Sequence, residues 1–187
     1  MKMRRTELEI RDKPMLKAIL DMCKVINVGL FDEKFPYVFP TNYGYVFDED
    51  LVFFTHHAPA GHKLDLLAKN PHVCVTCFAF ADHIRNPRSN SHSRHDFRSV
   101  MAFGVMEELK TGTPEYQLAI RKLHECNGRT VENSFTTRDH SAHMKMFKIT
   151  CHPEDVTGKS QDRLAGLHEI PLPTEPADEK TQPKHFV

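Results

Sequence analysis

The chain has 187 residues, enough for one domain with a proper core, and carries 25 basic against 25 acidic residues, so its charge gives no reason to expect nucleic acid or an anionic membrane as a partner. No window approaches the roughly 18 consecutive apolar residues of a membrane span. Met1-Lys2-Met3-Arg4-Arg5 leads into Glu7 and Glu9 rather than an apolar stretch, which is not a secretory signal, and the five cysteines, an odd number, read as reduced thiols of a cytoplasmic protein.

In chain order, Asp12 followed by Pro14 marks a helix start, and Leu16, Ile19, Leu20 and Cys23 at helical spacing give that helix one buried face. From Val25 the period changes to two, which predicts a strand over 25–30, a turn at 32–34 and a return strand over 35–40 whose two prolines suit an edge position. Residues 43–47 and 51–55 flank Asp48-Glu49-Asp50 and predict a second hairpin, with Asn42 and Thr55 near its ends. Gly44 would let backbone approach a ligand. A helix is expected from Gly61 to Asn70-Pro71, then a buried strand over 73–80. Cys74 and Cys77 have the spacing of a redox or zinc pair, but three residues apart on a strand they point to opposite faces, so both are read as core. The polar stretch 82–96 holds several histidines and arginines and reads as a long surface loop. The 13 histidines are spread along the chain without an HExxH pattern, and no metal site is expected. A strand over 97–106, a helix starting at Thr113-Pro114-Glu115 with Leu118, Ile120 and Leu123 apolar, and a strand over 144–151 complete the pattern. Residues 158–187, rich in proline and charge, read as a tail or arm.

One stretch carries chemistry. The apolar run Leu51-Val52-Phe53-Phe54 delivers the chain to the helix that opens at Gly61, where unpaired N–H groups and the helix dipole favour an anion. Lys63 in the first turn opposes that dipole unless an anion, such as a phosphate, lies between them. A solvated lysine on an amphipathic helix is the alternative. Arg98 and Ser99, opening a later strand, are candidates for further phosphate donors.

Several segments together resemble a known family: Met3-Arg4-Arg5 before an amphipathic helix, Pro40-Thr41-Asn42-Tyr43-Gly44-Tyr45, Phe54-Thr55-His56-His57-Ala58 with Gly61-His62-Lys63-Leu64-Asp65, Asn70-Pro71-His72-Val73, Phe97-Arg98-Ser99-Val100 and Val156-Thr157-Gly158-Lys159. In this order they are similar to the FMN-binding split-barrel proteins, which include pyridoxamine 5'-phosphate oxidase, and most similar to the nitroimidazole-resistance branch. The resemblance implies a mainly β fold with flanking helices, a six-stranded, Greek-key-like split barrel over residues 1–157 with a C-terminal tail at 158–187. It further implies a homodimer with FMN at the subunit interface and a small-molecule substrate. By position, His62, Lys63, Arg98 and Ser99 would hold the phosphate, while Asn42, Tyr43, Gly44, Thr55, His56 and His57 would line the flavin. His56 would contact substrate or deliver a proton. The implied activity is that of an FMN-dependent oxidoreductase reducing a small acceptor, in which the flavin does the chemistry, so that no catalytic triad is required. The alternative is a non-catalytic flavin- or haem-binding protein, with 82–96 offering an axial haem ligand. A metal-dependent hydrolase is the least supported reading. No GxGxxG fingerprint is present, so an electron donor would share the flavin site.

Overall fold

The computed structural model describes residues 3–80, 97–126, 128 and 143–160. The histidine-rich stretch 82–96 and residues 161–187 lie outside them. Asp12 caps helix α1 (Lys13–Met22), its carboxylate accepting from the Met15 N–H at 3.1 Å with Pro14 in the first turn. The helix buries Leu16, Ile19 and Leu20 over one end of the sheet. Strand β2 (Val25–Leu30) alternates as its sequence does, with Ile26, Val28 and Leu30 buried. Before α1, β1 is the short Glu9–Ile10.

Strand β3 (Tyr37–Asn42) starts two residues later than the apolar pattern suggests and pairs with β2 from Leu30↔Tyr37 to Val25↔Asn42. It is the outermost strand, so Pro40, opposite Asn27, removes no bond that a further strand needs. Strands β4 (Gly44–Phe47) and β5 (Leu51–His57) form the second hairpin, and β5 runs two residues past the expected Thr55. After helix α2 (His62–Lys69) come β6 (His72–Phe80), β7 (Phe97–Glu108), helix α3 (Pro114–Cys126), β8 (Lys145–Cys151) and β9 (Val156–Ser160). The sheet therefore extends past residue 157 and takes in Gly158 and Lys159.

All pairings are antiparallel, in the order β3-β2-β6-β7-β8-β5-β4. Twelve-residue β7 is the hinge of this order, since one edge lies along β6 while the other is shared, Arg98 to Ala102 with β9 and Val105 to Glu108 with β8. Strand β9 also pairs with β1. The sheet curls until β3 faces β5 from the far side of this path. Their meeting is sealed by side chains, the Phe39 and His57 rings standing edge to face at 5.3 Å. A barrel closed by packing at one seam is a split barrel, as the resemblance implies. Nine strands are present among the described residues, more than the six expected, because short β1, β4 and β9 join the longer ones.

The interior is filled by Ile26, Val28, Phe53, Val75, Val100, Ala102 and Ile149. A second core lies outside the barrel, where Tyr116, Ala119, Ile120 and Leu123 of α3 cover Phe54 and Met146. These helix positions recur at three and four residues; Leu118, expected on this face, sits beside it and is only partly buried. Cys77 is buried and Cys74 faces outward, on opposite sides of β6. No helix among the described residues is long and apolar enough to cross a membrane.

Candidate functional site

Strand alternation decides what each residue of 55–57 does. Thr55 and His57 point into the barrel and are buried, while His56 shares the outward side with Phe54 and is exposed. Opposite His57, the first turn of α2 places the Lys63 ammonium 2.9 Å from His57 Nδ1 and 4.2 Å from the centre of the Phe39 ring. On its other side, His57 Nε2 lies 3.0 Å from Thr55 Oγ1. Burial, then the charge of Lys63 and the neighbouring His56, holds the His57 pKa down at about 3, so the ring is neutral. Burial also lowers Lys63 and His56, with Lys63 a second cause for His56. The cluster is thus one cation set among apolar and neutral polar groups.

Gly61 precedes α2 with φ of +127°, a conformation that favours glycine, and a Cβ there would meet nothing within 4 Å. The backbone therefore turns sharply into α2, with open space at Gly61 itself. His62, the other expected phosphate donor of this turn, sits outside the cluster, with Nε2 3.1 Å from Asp32 Oδ2 and its ring edge-on to Tyr37. Asp32 links the β2–β3 turn to α2.

The remaining candidates are spread more widely. Asn42 is exposed at the end of β3, its amide 3.4 Å from the Lys24 carbonyl. Tyr43 points into the core, and its hydroxyl lies 2.6 Å from the Leu20 carbonyl and 3.1 Å from that of Cys23, tying the junction of β3 and β4 to the end of α1. Gly44 serves close packing against α3 instead of ligand approach, because a Cβ would fall 2.3 Å from the Lys122 carbonyl carbon. Arg98 is buried within the barrel, with Nη1 3.8 Å from Met22 Sδ. Phe39 shares a cross-strand row with Val28, Val75 and Ala102. Arg98 stands four residues from Ala102 on β7, about 13 Å along the strand. Within one chain it belongs to the α1 end of the barrel, away from Lys63. Ser99 faces outward beside Met101 and Phe103.

Three participants escaped the sequence reading: Phe39 under the ammonium, Phe147, whose ring lies 5.5 Å from that of His57, and Asp32. Inward alternation along β3 and β8 marks the two phenylalanines as core but cannot show which cation they meet. A cleft of about 780 Å³ lies elsewhere, on the outer face of β2, β3, β6 and β7 around Gly29, Val38, Cys74 and Phe103. It is open and mostly apolar, and among the described residues no lysine or arginine lines it.

A sequence profile described as pyridoxamine 5'-phosphate oxidase matches residues 12–160. The chain belongs to this family. No curated protein matches the chain. Among solved structures, a candidate 5-nitroimidazole antibiotic resistance protein from Bacteroides thetaiotaomicron is similar at a TM-score of 0.62 and 23% identity, over 82% of this chain and 86% of that one. A FAD and heme binding protein from Mycobacterium smegmatis has a TM-score of 0.62 and 18% identity, over 83% of this chain and 74% of that one. A flavocytochrome from Azotobacter vinelandii has a TM-score of 0.59 and 21% identity, over 100% of this chain and 91% of that one. At these identities the likeness is one of fold.

For this oxidase family member, the fit of a phosphate-bearing cofactor is tested by the turn itself. A partly buried ammonium beside the N-terminus of α2, with a neutral histidine behind it and open space at Gly61, suits a phosphate.

Proposed function

We propose that the chain is an FMN-binding flavoprotein that works as a homodimer and reduces a small acceptor, in the manner of a nitroimidazole reductase. The observation that carries this reading is the Lys63 ammonium, held against Phe39 and His57 at the start of α2. Lys63 and the N–H groups of the turn would bind the phosphate, a charge-assisted contact strengthened by partial burial. When bound, the flavin supplies hydride and electron transfer. Exposed His56, its pKa lowered, is neutral at pH 7 and can pass a proton by accepting at one ring nitrogen while donating from the other. Thr55, buried in the same strand, fixes the ring of His57.

The homodimer is supported by the outer face of β2, β3 and β7, where Val25, Val38, Met101 and Phe103 are exposed together. Ser99 lies on that face and would join a cofactor site only across a subunit contact. Five thiols, none in a disulfide, suit the reducing cytoplasm.

The test is the visible spectrum of the purified protein with an FMN titration. Flavin bands with quenched emission at one equivalent per chain support the reading, and reoxidation of the reduced complex by a nitroimidazole supports catalysis. Absence of flavin binding overturns it. The FAD and heme binding neighbour and the flavocytochrome favour one second reading, a non-catalytic flavin or haem carrier. A haem band on reconstitution, without acceptor reduction, would select that alternative.

A further inference from the structure

We infer that His57 is a positioning residue, a neutral acceptor that aims the Lys63 ammonium at an anionic group without touching that group itself. The inference rests on the phosphate reading above. An ammonium only donates, so the contact at 2.9 Å requires His57 Nδ1 to carry a lone pair. The ring proton of the neutral imidazole is then on Nε2 and is donated to Thr55 Oγ1 at 3.0 Å. Both ring nitrogens are committed within the protein, and the Phe39 and Phe147 rings wall the imidazole, which is 6% exposed.

The residue type matters because of charge. A carboxylate at this place would hold Lys63 as well, but would cancel the charge that attracts an anion. A neutral imidazole holds the ammonium and leaves its full charge outward. One of the three ammonium protons is taken by Nδ1 and the Phe39 face blocks a second direction, so the remaining donors point away from the barrel.

The experiment compares FMN with riboflavin, which lacks the phosphate, by fluorescence titration of the full chain. The ratio of the two dissociation constants reports the phosphate contact alone. Lys63→Ala should reduce the ratio by about thirtyfold, the loss of a charge-assisted contact. His57→Gln keeps a polar group near Thr55 but withdraws the acceptor at Nδ1, and should reduce the ratio by about tenfold. His57→Asn puts an amide oxygen at the reach of Nδ1 and should keep the ratio within about twofold of the unsubstituted protein. An unchanged ratio in His57→Gln, with Lys63→Ala impaired, overturns the inference and leaves the phosphate reading standing. An unchanged ratio in Lys63→Ala removes the phosphate reading and the inference with it. Equal weakening of both ligands by the two His57 variants assigns the residue to ring contact or to folding, and also overturns it. The unsubstituted protein gives a second measurement: imidazole nitrogen shifts should place the His57 proton on Nε2, and a proton on Nδ1 is incompatible with the inference.

Discussion

The outer faces of the two halves of this barrel share one strand pattern and meet different fates. On β5 and β8, the outward residues Phe54 and Met146 are covered by α3 and are 1% exposed each. On β3 and β7, outward Val38 and Phe103 are 59% and 38% exposed, with no described element packed over them. Apolar residues on both sides of a strand suit burial of both sides, but the pattern does not name the element that would do the burying. One half finds its cover within the chain. The other has no cover among the described residues, and it is the face on which the proposed second copy would sit.

The largest expected effect falls on the covered half. Gly44→Ala drives a methyl into the α3 backbone at Lys122 and should cost about 3 kcal/mol or more in urea unfolding. A loss below about 1 kcal/mol would show that α3 shifts freely over the barrel. Next comes the bare half: Val38→Lys with Phe103→Lys should weaken self-association by at least about thirtyfold, or about 2 kcal/mol, in sedimentation, with the monomer still folded. Unaltered association would place the contact on another face.

Acidity then separates the halves by sign. The His57 pKa falls from the ordinary 6.5 to about 3, so between those values the unfolded chain binds a proton that the folded chain refuses. Stability is therefore full above pH 6.5, falls as the pH drops toward 3 and levels off below it. One such proton contributes a slope of up to about 1.4 kcal/mol per pH unit, which His57→Asn should remove from an acid-unfolding series. Exposed His152, raised by Asp50 at the rim of the open cleft, acts in the opposite direction. Its contribution is complete below 6.5 and lost as pH rises through the raised value, and solvent screens it. The smallest effect is at the start of α3. Thr113 Oγ1 accepts the Tyr116 N–H at 3.2 Å, and Thr113→Ala should lower thermal stability by about 1 kcal/mol.

Much of the fold is legible because local rules agree with the tertiary outcome. Asp12-Lys13-Pro14 starts α1, alternation from Val25 gives β2, and proline at 40 marks an edge. Less legible was what a residue faces. Gly44 is equally suited to a ligand or to a helix backbone, and only the packing of α3 decides between them. His56 and His57 are adjacent and chemically identical, and strand parity sends one to solvent and the other to Lys63. For Arg98 and Lys63, sequence suggests partnership because a cation opening a strand could join one in the first turn of a helix on the same phosphate. Register separates them, since each residue along β7 carries Arg98 further from the Phe39 row.

The pairing of Glu9 with Lys159 has a consequence for synthesis. It closes a loop of roughly 150 residues, among the most costly contacts in the chain to form by chance encounter. Because β9 follows β7 by about fifty residues, the nascent chain exposes one edge of β7 from Arg98 to Ala102 until β9 leaves the ribosome. During that interval the unpaired edge is a template for foreign strands, and a chaperone that shields it would raise the yield of native protein more than one that acts on α3.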